Sequence, residues 1–359
     1  MCMQLRLTLV LVAAIAVAGC KGIGPGNLQR DRLEYGSAIA GSWREQTLLN
    51  IVKLRYFDAP EYLEVSSVIS SYSLSGEVNV EAQSYPFSTS TGANNTNNRL
   101  GVTGIYIDRP TITYAPVTGK KYVDKLLRPI PPEEIFAMIR AGHPADYILS
   151  LTVQAINDVY NYSATPARAR PEDPTFQQVI EAIRRIQRAG ALGIKIEKRG
   201  REEPTLIFFR DRGIPEVAAD IRFVKDTLGI KSENNEMPLT FGSERRSDNE
   251  IALLTRTMWE ILAELASGVE VPKQDMAEGR ATARPPLSNR AYATPIAQIH
   301  SGSVRPTDAY TAVHYRDHWF WIDDRDLASK RVLTFLMVFS SIAETGAAPQ
   351  MPVVTIPAR

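Results

Sequence analysis

The sequence is poor in the residue types that dominate enzyme active sites and disulfide frameworks. It contains 2 cysteines and 4 histidines in 359 residues. It has no His-Glu-x-x-His motif, no Gly-x-Ser-x-Gly motif and no glycine-rich phosphate loop. These side chains offer little for metal binding, nucleophilic catalysis or general acid–base chemistry. We therefore predict a protein without enzymatic activity and without a cofactor.

The sequence also lacks an excess of charge of either sign. Lysine and arginine number 41, and aspartate and glutamate number 40. Such a balance gives no support to a nucleic-acid-binding surface, so we predict no nucleic-acid partner. With 44% hydrophobic and 23% charged residues, the chain can bury a core and has the composition of a globular protein.

Long hydrophobic runs are absent, and only two short ones stand out. Leu7 to Val17 is an apolar run of 11 residues that follows Arg6. A membrane-spanning helix needs about 20 apolar residues, so this run has the length of a signal-peptide core. The second run, Val332 to Phe339, is interrupted by Ser340 and Ser341. We interpret it as part of a core helix.

The first run ends in Val17-Ala18-Gly19-Cys20, which resembles the lipobox of bacterial lipoproteins. Small residues before the cysteine let a peptidase approach the backbone, and the thiol is the nucleophile for thioether formation. The resemblance covers about twenty residues. It implies cleavage between Gly19 and Cys20 and attachment of a diacylglyceryl group and further acyl chains to Cys20. The alternative is a buried cysteine that follows an ordinary secretory signal.

The remaining cysteine favours the lipid interpretation. Cys2 lies in the segment that would be removed, so the mature chain would hold one thiol and no internal disulfide. Removing residues 1–19 deletes Arg6 and no acid, which leaves equal numbers of basic and acidic side chains. We therefore expect the acyl chains on Cys20, and not the charge of the protein, to hold the chain at the lipid membrane. Lys21 stands where Asp marks inner-membrane retention in the enterobacterial pattern that this signal resembles. We predict an outer-membrane location facing the periplasm.

Composition and helix signals divide the chain into six segments. They are a signal peptide 1–19, a lipidated tether 20–30, an N-terminal α+β domain 31–162, a linker 163–173, a C-terminal α+β domain 174–346 and an extended tail 347–359. The predicted fold class is α+β, with small antiparallel sheets and hairpins packed with amphipathic helices.

The N-terminal domain contains the clearest strand pattern. A helix is predicted to begin at the capping box of Ser42 and Glu45. Apolar and polar residues then alternate through 62–115, around a polar stretch at 84–98, which predicts a long β-hairpin. A further helix is predicted from Pro144 to the break near Tyr162.

The C-terminal domain alternates helices with short strands. The predicted elements are a helix from Asp173 to Gly190, strands at 194–198 and 205–210, a helix at 215–228, a strand at 237–241, a helix at 247–266 with a capping box of Ser247 and Glu250, a strand at 296–300, a hairpin at 310–322, and a helix from Leu327 capped by Asp323 or Asp324.

One cluster, from His314 to Asp326, could carry chemistry because it holds two histidines and four carboxylates. Its candidate metal or polar site consists of His314, His318, Asp323 and Asp324. On a helix the two histidines would share a face. The aromatic run after His318 favours a strand instead, which puts the histidines on opposite arms of a hairpin and the acids at a helix start. His143 and His300 are solitary and are expected at the surface or at a helix edge.

The leading functional hypothesis is a non-enzymatic outer-membrane lipoprotein that serves as a scaffold or assembly subunit of an envelope complex. Its partners would be lipid, other envelope proteins and, as a homo-oligomer, further copies of itself. One alternative is an envelope hydrolase or metal-dependent enzyme that uses the cluster from His314 to Asp326. Another is an oligomeric pore or secretion component that contributes the hairpin 62–115, whose strands are each long enough to cross a membrane.

Overall fold

A computed structural model provides the fold, and it confirms the α+β class. It describes residues 23–69, 72–84, 96–108, 110–163, 170–196, 205–210, 212–231, 235–281 and 296–342. Within these ranges the chain forms nine helices and thirteen strands. The predicted signal peptide, Gly19, Cys20 and the tail 347–359 lie outside the described residues. No helix in the described ranges is both long and apolar enough to cross a membrane.

The described residues divide into two compact units. The first holds the chain before Gly41 together with Leu63–Pro116, and the second holds Gly41–Tyr62 together with the chain from Val117 onward. The first helix, α1 (Ile23–Arg55), contributes residues to both. It includes residues 23–30, which the sequence predicts as tether, and it passes through Ser42, so the capping box predicted there is wrong. Pro25 is tolerated because the first turn of a helix needs no intrahelical N–H bond.

The first unit is built on two antiparallel strand pairs. Its strands are β1 (Leu63–Ile69), β2 (Tyr72–Ser84), β3 (Thr96–Asp108) and β4 (Thr111–Pro116). β1 pairs with β4, and β2 pairs with β3 from Tyr72 opposite Asp108 to Ser84 opposite Thr96. The predicted long hairpin is confirmed, and most of its polar tip lies outside the described residues.

The second unit is organised around a six-stranded mixed sheet. Its strands are β5 (Val153–Ile156), β6 (Val159–Tyr160), β7 (Leu192–Ile196), β8 (Thr205–Phe209), β9 (Glu236–Phe241) and β10 (Ile251–Thr255). Their order is β6-β5-β10-β9-β8-β7, and only β9 and β10 are parallel to each other.

Eight further helices of the second unit follow in chain order. They are α2 (Gly119–Leu126), α3 (Pro132–Arg140), α4 (Ala145–Thr152), α5 (Pro174–Arg188), α6 (Pro215–Thr227), α7 (Met258–Ala266), α8 (Lys273–Ala277) and α9 (Leu327–Ile342). The predicted helix at 173–190 is confirmed in detail. Asp173 accepts a hydrogen bond from the Thr175 amide at 3.0 Å, and Gly190 follows the helix with a φ of 64°.

The six-stranded sheet joins residues on both sides of the segment 163–173, where the sequence predicts a linker between domains. β5 and β6 come before this segment, and β10, to which β5 pairs, comes after it. The Asn157 side chain secures this junction, since it accepts from the Ala252 amide at 2.7 Å and donates to the Leu228 and Glu250 carbonyls. The two compact units therefore do not divide at 163–173.

Two predicted helices are wrong because parts of them belong to the sheet. The one from Pro144 ends at Thr152, and a turn with positive φ at Asn157 and Asp158 then reverses the chain into β6. The one predicted at 247–266 begins with strand β10 instead. Helix α7 starts only after a capping box of Thr257 and Glu260, ten residues beyond the box predicted at the start of that range.

A separate three-stranded sheet lies toward the C-terminus. Its strands are β11 (His300–Gly302), β12 (Ala309–Tyr315) and β13 (His318–Asp323), in the order β11-β13-β12. The predicted hairpin at 310–322 is confirmed. Arg316 and Asp317 form its two-residue turn with φ values of 47° and 64°, the geometry that matches the twist of the flanking strands.

Candidate functional site

The structure separates the residues of the candidate metal cluster. His314 is opposite Trp319, and Tyr315 is opposite His318. Because opposed residues share a face and successive residues alternate, His314 and His318 lie on opposite faces of the hairpin. The rings of His314 and Trp319 are 5.2 Å apart. In the described ranges no group of three His, Cys, Asp or Glu residues is placed to hold a metal ion.

The acidic residues of that cluster have structural roles at the start of α9. The Asp323 carboxylate accepts from the Arg325 amide at 2.7 Å, and Asp324 forms an ion pair with Lys330 at 2.7 Å. The helix cap is Asp326, which accepts from the Ser329 amide at 3.1 Å, so the prediction that Asp323 or Asp324 caps the helix is wrong. Asp326 also accepts from the Ala328 amide at 3.1 Å. This is the arrangement that an exposed helix N-terminus requires.

The two solitary histidines occupy ordinary structural positions. His143 is exposed at the turn between α3 and α4. Nδ1 of His300 lies 3.2 Å from the Glu270 carboxylate, and its ring lies 5.6 Å from that of Trp321. Neither has a nucleophile beside it in the contacts of the described chain.

A cavity of the second unit, hereafter the arginine pocket, has a volume of about 500 Å³. It is lined by parts of α4, α5, α7 and α9 and by the loop that follows β6. The lining residues with charged or hydroxyl side chains are Asp146, Tyr147, Ser150, Tyr162, Glu172, Glu181, Arg184, Arg188, Arg256, Glu264 and Arg331. A pocket of this volume lies in the range that holds small molecules.

One wall of the arginine pocket is a single face of α5. Gln177, Glu181, Arg184 and Arg188 all line the cavity, and their spacings of four, three and four residues place them on one side of a helix. The opposite side of α5 carries buried residues of the core, such as Val179 and Ile186. The amphipathic pattern of α5 therefore fixes which of its polar side chains face the pocket.

The floor of the pocket is Arg256, whose side chain is 3% exposed. Its Nη1 donates to the carbonyls of Ser150 and Leu151 at 3.1 and 3.0 Å, and its Nη2 donates to the carbonyl of Tyr162. The first two carbonyls belong to the last turn of α4, where a cation is favourable because the helix dipole is negative there. Asn161 donates to the Ser150 carbonyl as well, at 2.8 Å. The guanidinium thus has a structural role.

The carboxylates of the pocket have partners. The Asp146 carboxylate lies 3.6 Å from Nε of Arg184, and Glu172 accepts a hydrogen bond from Gln177 at 2.6 Å. Glu181 and Glu264 also have partners.

Two arginines of the pocket lack the partners that Arg184 and Arg256 have. Arg188 and Arg331 are exposed, and neither forms an ion pair with any residue that the structure describes. Arg331 lies over the ring of Tyr147, at 5.9 Å from its centre. Arg188 and Arg331 are therefore charged groups of the pocket without an ion-pair partner in the described chain, although the four arginines and four carboxylates of the lining balance.

Tyr147 supplies a polar atom without a partner. Its hydroxyl is buried and makes no hydrogen bond to the described residues. Burial raises the pKa of Tyr147, with a smaller opposing effect from Arg331, so the hydroxyl remains a donor at neutral pH. Its ring packs edge-on against Phe335, with 6.0 Å between centres. A buried hydroxyl without a partner costs about 1–3 kcal/mol.

A second polar cluster joins the end of α1 to distant segments. Tyr56 donates to the buried Asp275 at 2.6 Å. Beside it, Tyr315 donates to Asp58, and Arg316 forms an ion pair with the same carboxylate at 2.7 Å. The bond from Tyr315 holds the pKa of Asp58 below its usual range. These contacts hold the C-terminal hairpin against the end of α1.

Sequence reasoning missed the arginine pocket. Its residues come from positions between 144 and 331 and meet only in the folded chain. The available signal was the polar stripe from Gln177 to Arg188, which alternates acids and bases on the exposed side of an amphipathic helix. Such a stripe is common on solvated helices, so the stripe alone does not distinguish a pocket wall from plain surface.

Comparisons with protein-family models, with curated proteins and with solved structures find no match to this chain.

Proposed function

We propose that this chain is a lipid-anchored protein of the bacterial cell envelope that acts by binding, as a scaffold or assembly subunit, and not by catalysis. The observation that carries the proposal is the sequence Val17-Ala18-Gly19-Cys20 after an apolar run of 11 residues. Cys20 is the only cysteine beyond Cys2, so a lipidated thiol would use the one thiol that the mature chain retains. An outer-membrane location remains the expectation from Lys21.

The arginine pocket supports binding over catalysis. None of its described lining residues is a histidine or a cysteine. Its buried arginine is engaged with three carbonyls, and two of its carboxylates are engaged with Arg184 and Gln177. The hydroxyl of Ser150 donates to the Tyr147 carbonyl at 2.9 Å and has no described base beside it. Binding is therefore the activity that these side chains support best.

The lipid anchor is tested by mass spectrometry of the N-terminal peptide from membrane-purified protein. We expect a mature chain that begins at Cys20 and carries a diacylglyceryl group and an amide-linked acyl chain. Cys20→Ser should abolish the modification and release the protein from the membrane. The matched control is Cys2→Ser, which removes the other thiol and should leave both unchanged. A wild-type chain with an unmodified Cys20 would refute the proposal.

A second candidate function, self-assembly through the long hairpin, is supported by the strand order. β2 and β3 pair only with each other among the described strands. Each has 13 residues, whereas an isolated two-stranded hairpin is marginally stable in water. Val78 is opposite Val102 and Val80 is opposite Leu100, so these four positions share one face of the pair. Open strand edges next to an apolar face favour pairing with another copy.

Self-assembly is tested by native mass spectrometry of the full chain in detergent. We expect an oligomer for the wild type and a shift toward monomer for Val78→Glu, because this change places a charge on the shared apolar face. The control is Asn79→Glu, which adds the same charge at the adjacent position on the other face. A monomeric wild type, or equal behaviour of the two variants, would contradict this candidate function.

A further inference from the structure

We infer that the arginine pocket binds a small organic anion, whose carboxylate or phosphate group contacts Arg188 and Arg331 at its mouth while an apolar part lies against Tyr147. This inference rests on the cavity alone. It does not depend on the lipid anchor or on self-assembly.

The contacts of the lining favour an anion. Four arginines and four carboxylates line the pocket, so their formal charges balance, but their involvement in other contacts differs. Buried Arg256 is engaged with backbone carbonyls, and Arg184 contacts both Asp146 and Gln187. Glu172 accepts from Gln177, Glu181 and Glu264 have partners, and the Asp146 oxygen that makes no hydrogen bond is buried. Arg188 and Arg331 remain, with no ion pair to any described residue. An anionic ligand can neutralise these two cations without displacing an existing contact.

The guanidinium groups suit this role chemically. A guanidinium presents a planar fork of N–H donors that matches both oxygens of a carboxylate or phosphate. Arg188 is the last residue of α5, and Arg331 lies in the second turn of α9. The two cations are therefore carried by two different helices, both of which are held by buried core residues.

Tyr147 supplies an apolar surface in the same pocket. Its hydroxyl is buried away from the cavity, so a ligand would contact the ring and not the hydroxyl. The ring, together with Tyr162 and Ile296, provides the apolar part of the lining. The combination of cations and aromatic surface fits an anion attached to an apolar group better than a free inorganic ion.

The test titrates the full-length chain, purified in detergent, with three probes of similar shape. Benzoate carries a carboxylate, phenyl phosphate carries a phosphate, and benzamide is the neutral counterpart of benzoate. Dissociation constants are measured by ligand-observed NMR with calorimetry as a second readout. We expect at least one anion to bind about tenfold more tightly than benzamide, the effect of one charged hydrogen-bonded contact. The tighter of the two anions identifies the group that the pocket prefers.

Variants then locate the bound probe. Arg188→Gln and Arg331→Gln should each weaken the tighter anion by about tenfold, because each removes one of the two free cations. Near-ultraviolet circular dichroism checks that each variant is folded. The matched control is Arg222→Gln, an exposed arginine on α6 that does not line the pocket, which should bind as the wild type does.

Three results would overturn the inference. One is equal affinity for benzoate, phenyl phosphate and benzamide. Another is the absence of saturable binding for both anions. The third is an affinity that Arg188→Gln and Arg331→Gln leave unchanged, because the anion would then bind elsewhere on the chain.

Discussion

Replacing Arg256 by methionine should strongly destabilise the second unit. The buried guanidinium donates to the carbonyls of Ser150, Leu151 and Tyr162. The Ser150 carbonyl would keep its bond from Asn161, so two carbonyls would lose a donor that methionine cannot replace. At about 1–3 kcal/mol for each buried acceptor, the expected loss in the free energy of unfolding is about 3 kcal/mol. This is a large part of the 5–15 kcal/mol that is typical of a domain.

The assay is urea unfolding of the full chain followed by tryptophan fluorescence. This signal reports the second unit alone, because all four tryptophans belong to it: Trp43, Trp259, Trp319 and Trp321. Arg256→Lys should lose less, since an ammonium can still reach one carbonyl. The control, Arg222→Met, changes an exposed arginine and should stay within about 0.5 kcal/mol of the wild type. The reasoning is refuted if Arg256→Met costs no more than this control.

Three further predictions concern other parts of the second unit. The pKa of Asp58 is lower in the folded chain than in the unfolded chain, so its ionised carboxylate stabilises the fold at neutral pH. This stabilisation is lost as the pH falls through the pKa of Asp58 in the folded chain. In urea unfolding, the stability advantage of the wild type over Asp58→Asn should therefore be larger near about pH 7 than near about pH 3. Replacing His314 and His318 together should leave the zinc content unchanged by elemental mass spectrometry, because the two side chains lie on opposite faces of the hairpin; a loss of stoichiometric zinc would contradict this placement. Gly268→Ala should destabilise the protein by about 1–3 kcal/mol, since the added carbon would lie 2.2 Å from the Ala297 carbonyl oxygen. Gly41→Ala should be stabilising, because Gly41 lies inside α1 and has ordinary space around it. Equal shifts in melting temperature for the two variants would refute the packing argument.

The sequence predicts local structure well where the signal is itself local. Asp173 and Gly190 bound α5 as expected, because a side-chain cap and a left-handed glycine act on their own helix ends. The hairpin around Arg316 and Asp317 is also local, since an alternating aromatic run and a two-residue turn determine its pairing. In these places no distant residue needs to be known.

The prediction fails where pairing between distant segments overrides local propensity. Apolar residues from Ile148 to Val159 fit a helical spacing, but β5 is completed by β10, about a hundred residues later. The same pairing converts the start of the predicted helix at 247–266 into a strand. Asn157 is the informative residue, because its side chain bonds two backbone groups of the segment 247–266 and the carbonyl of Leu228, and the turn needs its positive φ.

The two contacts at the end of α1 have a consequence for the order of folding. Tyr56 bonds to a residue 219 positions later, and Asp58 bonds to one 257 positions later. Closing loops of this length is slow because the chain must bring remote segments together before the contact stabilises it. While the chain is synthesised, the ring of Tyr56 therefore lacks its neighbours Tyr315 and Phe320 until the final hairpin has been made. If the chain is exported unfolded, as the proposed lipid anchor implies, the C-terminal hairpin would complete this closure only after it had crossed the membrane.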